Sequence, residues 1–255
     1  MISMDVQVGL YLLIAIIYGV IIGSFLNVCI YRIPKNESIV VRRSHCMSCG
    51  KQIKWYDLVP LISFLILRGK CRYCKAKLSW QYPAIEALNG ILYGIIVLVN
   101  GFNATSILYC LATSALLVLS VIDWRTYEIP PSLNIFIGIL GIIRLALDYT
   151  HWYNYVIGLV SVSGFLLLIL LITRGRGMGG GDVKLMAVTG LLLGWRLIIL
   201  SLGLGCILGS VIHITLMHVT DKDRVLAFGP YLSLGIFISM IYGNQLIEWY
   251  LHMFM

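Results

Sequence analysis

Long apolar runs separated by short polar breaks dominate this chain. Eight runs stand out, at residues 8–30, 83–99, 105–122, 132–147, 155–172, 183–193, 197–219 and 229–249. A helix needs ~20 apolar residues to cross the hydrocarbon core of a bilayer. Only helices and closed barrels satisfy their own backbone groups in lipid. The pattern therefore predicts an all-α integral membrane protein of about eight transmembrane helices. The sixth run is short, so it is expected to be tilted, buried among other helices or partly re-entrant. A further apolar stretch, 59–67, is too short to span and is expected at the membrane interface or in the core of a small module. A polar insertion separates the first two runs. The chain thus divides into a first transmembrane helix (1–31), a four-cysteine module (32–82) and a polytopic membrane core (83–255).

Composition excludes an ordinary soluble domain: 60% of residues are hydrophobic, 12% are charged and the mean hydropathy is +0.92. Charge then orients the helices. Of the 19 Lys and Arg residues, 11 lie between Arg32 and Lys77. With the N-terminus outside, Arg125, Arg174, Arg176, Lys184, Lys222 and Arg224 join them on the inner face. Only Arg144 and Arg196 fall near the outer one. Cytoplasmic loops carry such an excess, so both termini are expected outside a bacterial cytoplasmic membrane and the module inside. The net charge of +8 is read as a topology signal. Attraction to anionic lipid follows from it; a nucleic-acid partner does not, because the basic residues track one membrane face. The first run lacks a positive n-region and a small-residue cleavage site, so it is expected to be a retained anchor.

The module contains Cys46-Met47-Ser48-Cys49 and Cys71-Arg72-Tyr73-Cys74, a C-x2-C-x21-C-x2-C spacing. Each pair can bend into a knuckle that presents two thiolates, and two knuckles complete a closed tetrahedral S4 site. Structural zinc held by Cys46, Cys49, Cys71 and Cys74 is the expectation. A closed site has no open position for catalysis. His45 adjoins Cys46 and could replace a ligand. Cys29, Cys110 and Cys206 are expected to pack between helices.

Acidic residues number only 11, and two of those beside long apolar runs stand out. Asp123 follows Val121-Ile122 at the end of the third run. Asp182 follows Gly179-Gly180-Gly181 and opens the sixth. Ionisable groups at such positions are costly and usually functional. The topology puts both at the cytoplasmic boundary, where two carboxylates can act as one acid and one base on a water. The bland alternatives are an N-cap for Asp182 and a solvated loop residue paired with Arg125 for Asp123. Three consecutive glycines exceed what a cap needs and would admit an extended peptide. No phosphate-loop pattern and no glycine-rich dinucleotide fingerprint is present.

These residues, in this order, resemble the bacterial type IV prepilin leader peptidases, membrane aspartic peptidases of the G-x-G-D type. The likeness extends over nearly the whole chain. It rests on residues 23–34, the double C-x-x-C loop with Leu67-Arg68-Gly69-Lys70-Cys71, Tyr82-Pro83-Ala84-Ile85-Glu86, Asp123, the segment 179–184 and Phe228-Gly229-Pro230. Two positions depart from the family pattern: Glu128-Ile129-Pro130-Pro131, where another Asp often follows the proline, and Asp57-Leu58, where an Asn is common. The resemblance implies catalysis by Asp123 and Asp182 on short basic leaders of prepilins or pseudopilins. It also implies N-methylation of the new N-terminus from S-adenosylmethionine in many members.

Gly179, Gly180, Gly181, Lys184 and Glu86 are the expected substrate-binding residues. Glu86 could take the basic leader or the N-terminal amine, or pair with a lysine. Lys184 could bind substrate, tune Asp182 or snorkel from a helix end. Asn27 is expected to donate a hydrogen bond between helices. His213 and His218 are expected in packing or at the interface. The rival reading is a transporter with a carboxylate proton relay, which needs a midplane site between repeats. A zinc-stabilised adaptor would need no carboxylate pair.

Overall fold

The computed structural model describes residues 2–41, 43–175, 177–219 and 227–253. Arg176, Lys222 and Arg224 of the topology argument lie outside them, as do the side chains of His213 and His218. All eight apolar runs are helical. In chain order the α-helices are α1 (Ile2–Arg32), α2 (Ile62–Ile66), α3 (Gln81–Asn100), α4 (Ala104–Thr126), α5 (Pro131–Leu147), α6 (Trp152–Ile172), α7 (Gly180–Leu193), α8 (Trp195–Val219) and α9 (Gly229–His252). No β-strand beyond isolated bridges occurs among the described residues. Five helices there are long and apolar enough to cross a membrane: Gln7–Lys35, Gln81–Asn100, Ala104–Thr126, Tyr149–Ile172 and Trp195–Ile212. α5 is apolar but shorter, and the sixth run is the 14-residue α7. Proline opens α5 and α9, where its missing N–H costs no helical bond.

The chain forms two compact units, Met1–Ser114 and Ala115–Met255. In the first, α1 and α3 pack antiparallel along a seam of glycines. A Cβ on Gly19 would stand 2.8 Å from Gly90 Cα, and one on Gly23 would stand 2.7 Å from Glu86 Cα. Polar links reinforce the seam. Asn89 Nδ2 donates to Gly19 O at 2.7 Å, Ser114 Oγ donates to Asn89 Oδ1 at 3.0 Å, and the Tyr93 and Ser114 hydroxyls share a hydrogen at 2.9 Å. Asn27 bridges helices as expected, donating to Tyr82 O at 3.2 Å. Cys29 and Cys110 are buried, but Cys206 is exposed, so its expected packing role does not hold. The 59–67 stretch is not a core. Ile62, Leu65 and Ile66 of α2 are exposed, which leaves the interface reading.

In the second unit α5 and α7 run parallel, with Gly138 against Val188 and Gly141 against Leu191. α6 crosses α7 at Gly158 and Gly190, where a Cβ on either would overlap the other's carbonyl oxygen. α8 and α9 are antiparallel, with Gly205 against Leu232 and Gly235 against the Ser201 carbonyl. Such backbone approach matters in lipid, where van der Waals packing replaces the hydrophobic drive between helices.

Gly190→Val is therefore expected to lower the thermal midpoint in detergent markedly, with a cost of about 1–3 kcal/mol or more. Gly203→Ala should be neutral or mildly stabilising, because a Cβ at Gly203 meets nothing within 4 Å. Equal melting curves for the two variants would contradict the seam.

Candidate active site and cysteine module

The last turn of α4 turns a carboxylate inward. α4 does not end at Asp123, as the sequence pattern suggested, but runs on to Thr126. Tyr127 then takes φ 55°, and its N–H returns to the Asp123 carbonyl at 2.8 Å, a left-handed helix stop. Asp123 is 5% exposed, and its Oδ2 accepts the Gly229 N–H at 2.9 Å. Gly229 opens α9, so its N–H is one of the donors that a helix start leaves unpaired. The carboxylate therefore faces the positive end of the α9 dipole, which offsets the unfavourable end of α4. A Cβ on Gly229 would stand 2.7 Å from Asp123 Oδ2 and 3.0 Å from Leu119 Cδ2. Only glycine fits there. Burial rules out the solvated-loop alternative for Asp123.

Asp182 is not an N-cap. Gly179 holds that position, with φ −77° and ψ 140°, and Asp182 is the third residue of α7. Its carboxylate accepts a hydrogen bond from the Gly179 N–H, the acidic half of a capping box. Asp182 is half-buried and interacts electrostatically with Asp123. The two expected residues are thus brought together within one unit. The three glycines prove unequal. A Cβ on Gly181 would meet Ile129 Cβ at 2.9 Å, so the fold already uses this missing side chain to seat the α4–α5 loop on the first turn of α7. Gly180 meets nothing closer than Leu170 Cδ1 at 3.9 Å, and Gly179 meets Asp182 Oδ2 at 3.3 Å. Gly179, Gly180 and Lys184 are exposed.

Sequence reasoning passed over several polar positions in this unit. Asn134 on α5 is buried, and among the described residues neither of its side-chain amide atoms has a hydrogen-bond partner. The parallel register of α5 and α7 sets it level with the first turn of α7. Tyr231 and Ser233, near the start of α9, bury hydroxyls that have no partner among the described residues. Unpaired buried polar groups are costly and mark places where something else supplies the partner. An Asn inside an apolar run was the available signal for the first of them.

In the first unit, the Sγ atoms of Cys46, Cys49, Cys71 and Cys74 lie within 4.8 Å of one another, and Cys46 and Cys74 are 3.8 Å apart. A tetrahedron with Zn–S bonds of about 2.3 Å has edges of roughly 3.8 Å. The donor set therefore fits a metal ion, and His45 is not part of it. Two matching knuckles build the cluster. The Cys46 N–H donates to Lys51 O at 2.9 Å and the Cys71 N–H to Ala76 O at 2.9 Å. Each knuckle closes on a left-handed residue, Gly50 at φ 69° and Lys75 at φ 60°. Hydrogen bonds from the Cys49 and Ser48 backbone pull the Cys46 thiol down to about 6. Cys74 is pushed up to about 11: the Ala76 N–H favours its thiolate, but desolvation and bonds to Cys49, Cys71 and Cys46 outweigh it.

Glu86 is 6% exposed and accepts the Leu61 N–H at 2.8 Å, with a further hydrogen bond to Ser24. The Leu61 N–H ties the module to α3, and the Ser24 hydroxyl ties α3 to α1.

Comparison with known proteins agrees with this division. The model of the bacterial peptidase A24 N-terminal domain matches residues 17–100, and that of the type IV leader peptidase family matches residues 110–214. Three relatives share the name prepilin leader peptidase/N-methyltransferase. The Stutzerimonas stutzeri protein is 30% identical over 94% of each chain. The Pseudomonas aeruginosa protein is 29% identical over 94% of this chain and 93% of its own. The Bacillus subtilis protein is 32% identical over 94% of this chain and 98% of its own. No solved structure matches the chain. Nothing in these likenesses supports a transporter.

Elemental analysis is expected to find one metal ion per chain, lost in the Cys46→Ser, Cys71→Ser double variant. That variant, or chelator treatment, should speed proteolysis within residues 32–82 well before the membrane helices melt, because a loop of this size cannot fold on apolar burial alone. An unchanged cleavage pattern would count against the cluster.

Proposed function

The chain belongs to the type IV leader peptidase family and is a prepilin peptidase, and we propose that Asp123 and Asp182 hydrolyse the leader bond at the cytoplasmic membrane face. The observation that carries this is that two carboxylates, from the last turn of α4 and the first turn of α7, lie near enough within one unit to interact electrostatically. Such a pair polarises a water between them. One carboxylate takes a proton as the water oxygen bonds to the scissile carbonyl carbon. The other donates a proton to the carbonyl oxygen. Collapse of the adduct then breaks the C–N bond, and the departing nitrogen leaves as an amine after receiving a proton from the pair. The two acids act as one coupled unit.

The substrates are the short basic leaders of prepilins or pseudopilins, whose apolar stretch stays in lipid. A helical peptide bond has its carbonyl engaged, so the scissile segment must unwind before water attacks. Gly179 and Gly180 offer open backbone beside Asp182, and the unpartnered Asn134 amide suits an extended strand. Gly181 acts through Ile129 and thereby fixes α7. Lys184 is exposed on the same turn, and Glu86 is available for the substrate amine or leader. Eight helices cross the cytoplasmic membrane with both termini outside, the arrangement that collects the basic residues on one side. The module 32–82 holds structural zinc; the first helix is 1–31 and the membrane core 83–255. N-methylation of the new N-terminus follows cleavage.

Asp123→Asn and Asp182→Asn are each expected to abolish cleavage of a leader-bearing prepilin in a gel-shift assay while circular dichroism stays unchanged. Substantial turnover by either variant would sink the pair. Gly229→Ala should cost about 10²-fold in turnover, because a displacement of about 1 Å at a reacting group has that effect. Gly180→Val should slow cleavage with Asp123 and Asp182 intact. If both glycine variants turn over normally, the positioning and docking arguments fail.

A further inference from the structure

Among the described residues three asparagines are buried, and two of them follow one rule. Asn27 donates to the Tyr82 carbonyl and Asn89 to the Gly19 carbonyl, so each amide is held by the main chain of a neighbouring segment. Asn134 breaks the rule. It is 5% exposed, and neither its Oδ1 nor its Nδ2 has a partner among the described residues. Buried hydroxyls of the same unit are satisfied locally: Thr189 donates to the Leu185 carbonyl and Ser201 to the Leu197 carbonyl. A primary amide offers two donors and an acceptor with two lone pairs. Burying all of them unpaired is costly. We propose that Asn134 pairs with the main chain of the substrate peptide beside the scissile bond, and so selects that segment in its extended form. The proposal rests on the peptidase reading above and adds a substrate-binding residue to it.

Packing sets this amide at the level of the peptidase carboxylate on α7. Asn134, Gly138 and Gly141 stand at i, i+4 and i+7, so they share one face of α5. A Cβ on Gly138 would stand 3.3 Å from Val188 Cγ1, and one on Gly141 would stand 3.1 Å from Leu191 Cγ. The same face therefore meets α7 one turn earlier at Asn134, at the level of residue 184. Asp182 is two residues away, about 3 Å along the axis at 1.5 Å per residue. The start of α7 is open here. Gly179, Gly180 and Lys184 are exposed, and a Cβ on Gly180 would meet nothing closer than 3.9 Å. A strand lying along this first turn passes both Asp182 and the level of Asn134.

The form of the peptide decides whether the amide can be satisfied. In a helix each interior N–H and C=O is bonded within the helix, and Asn134 gains nothing from it. In an extended strand those groups point sideways from the chain and are free to pair. The strand then supplies an acceptor for Nδ2 and a donor for Oδ1. Pairing there favours the unwound segment over the helical one, at a point away from the bond that is cut. Binding interactions remote from the reacting bond can offset the distortion that reaction requires. The free enzyme carries the cost as an unpaired amide, and seating the substrate relieves it.

The test uses the full chain in nanodiscs, with Asp123→Asn as the background, so that contact with the peptide is read without turnover. Persistent cleavage in that background would count against the aspartate pair, whereas the affinities test Asn134. The probe is a fluorescent leader-bearing prepilin peptide. Asn134→Leu should weaken its equilibrium binding about tenfold, the scale of one or two lost hydrogen bonds. The thermal midpoint without peptide should stay equal or rise in Asn134→Leu or in the smaller Asn134→Val, because an unpaired polar group has been removed. A set of ester analogues, each replacing one peptide N–H near the scissile bond by oxygen, then locates the contact. At one position the ester should weaken binding to the Asn134 protein and leave binding to Asn134→Leu unchanged, the coupling expected of two groups in contact. Unchanged affinity in Asn134→Leu, a thermal midpoint lowered in both Asn134→Leu and Asn134→Val, or ester effects that simply add at every position would each overturn the proposal.

Discussion

Helices surrounded by hydrocarbon gain little from covering one apolar face with another, because lipid tails are as apolar as leucine. Close, specific backbone contact has to hold them instead. In this protein that contact is made by glycine. Gly19 and Gly23 let α1 lie against α3, Gly158 and Gly190 let α6 touch α7, and Gly205 and Gly235 do the same for α8 and α9. Each functional side chain is carried by one of these seams. Glu86 stands opposite Gly23, Asp182 opens the helix locked at Gly190, and the amide that holds Asp123 belongs to the helix packed through Gly235.

The same solvent makes polar groups expensive, and the exceptions are informative. Asn89, Ser114 and Tyr93 satisfy one another inside the first unit. Asp123 uses the unpaired N–H of a helix start, which gives its buried carboxylate a backbone partner. In the unit that carries the aspartates, Asn134, Tyr231 and Ser233 have side-chain polar atoms with no partner among the described residues.

The cysteine module is organised by a different constraint. It is too small to bury a core, and Val40, Val41, Trp55 and Trp80 remain exposed. Its order comes from the two knuckles and from the fork of Arg72 on Asp57, with contacts of 2.6–3.1 Å. That guanidinium holds the Asp57 carboxyl below its usual range. The ion pair therefore strengthens the module above the ordinary carboxylate range and weakens as pH falls through the lowered value.

Apolar patterning determined the helical class and the positions of the eight apolar helices, and the C-x-x-C spacing singled out the four cysteines that cluster. These are local properties: a run of apolar residues has one stable form in lipid, and two C-x-x-C pairs have few other uses in a basic loop. Three-dimensional packing decided the rest. Nothing in Gly179-Gly180-Gly181-Asp182 distinguishes an N-cap aspartate from one at the third helical position, because both patterns start a helix. The difference depends on Ile129 claiming the space over Gly181. Phe228-Gly229-Pro230 was legible as a motif, but its purpose was not, since the Asp123 carboxylate it receives lies 106 residues away in the chain. Glu86 could have met a lysine or a substrate; the turn at Leu61 met it first. Long-range contacts such as these depend on which backbones approach closely enough, and only the folded arrangement of the glycine seams determines that.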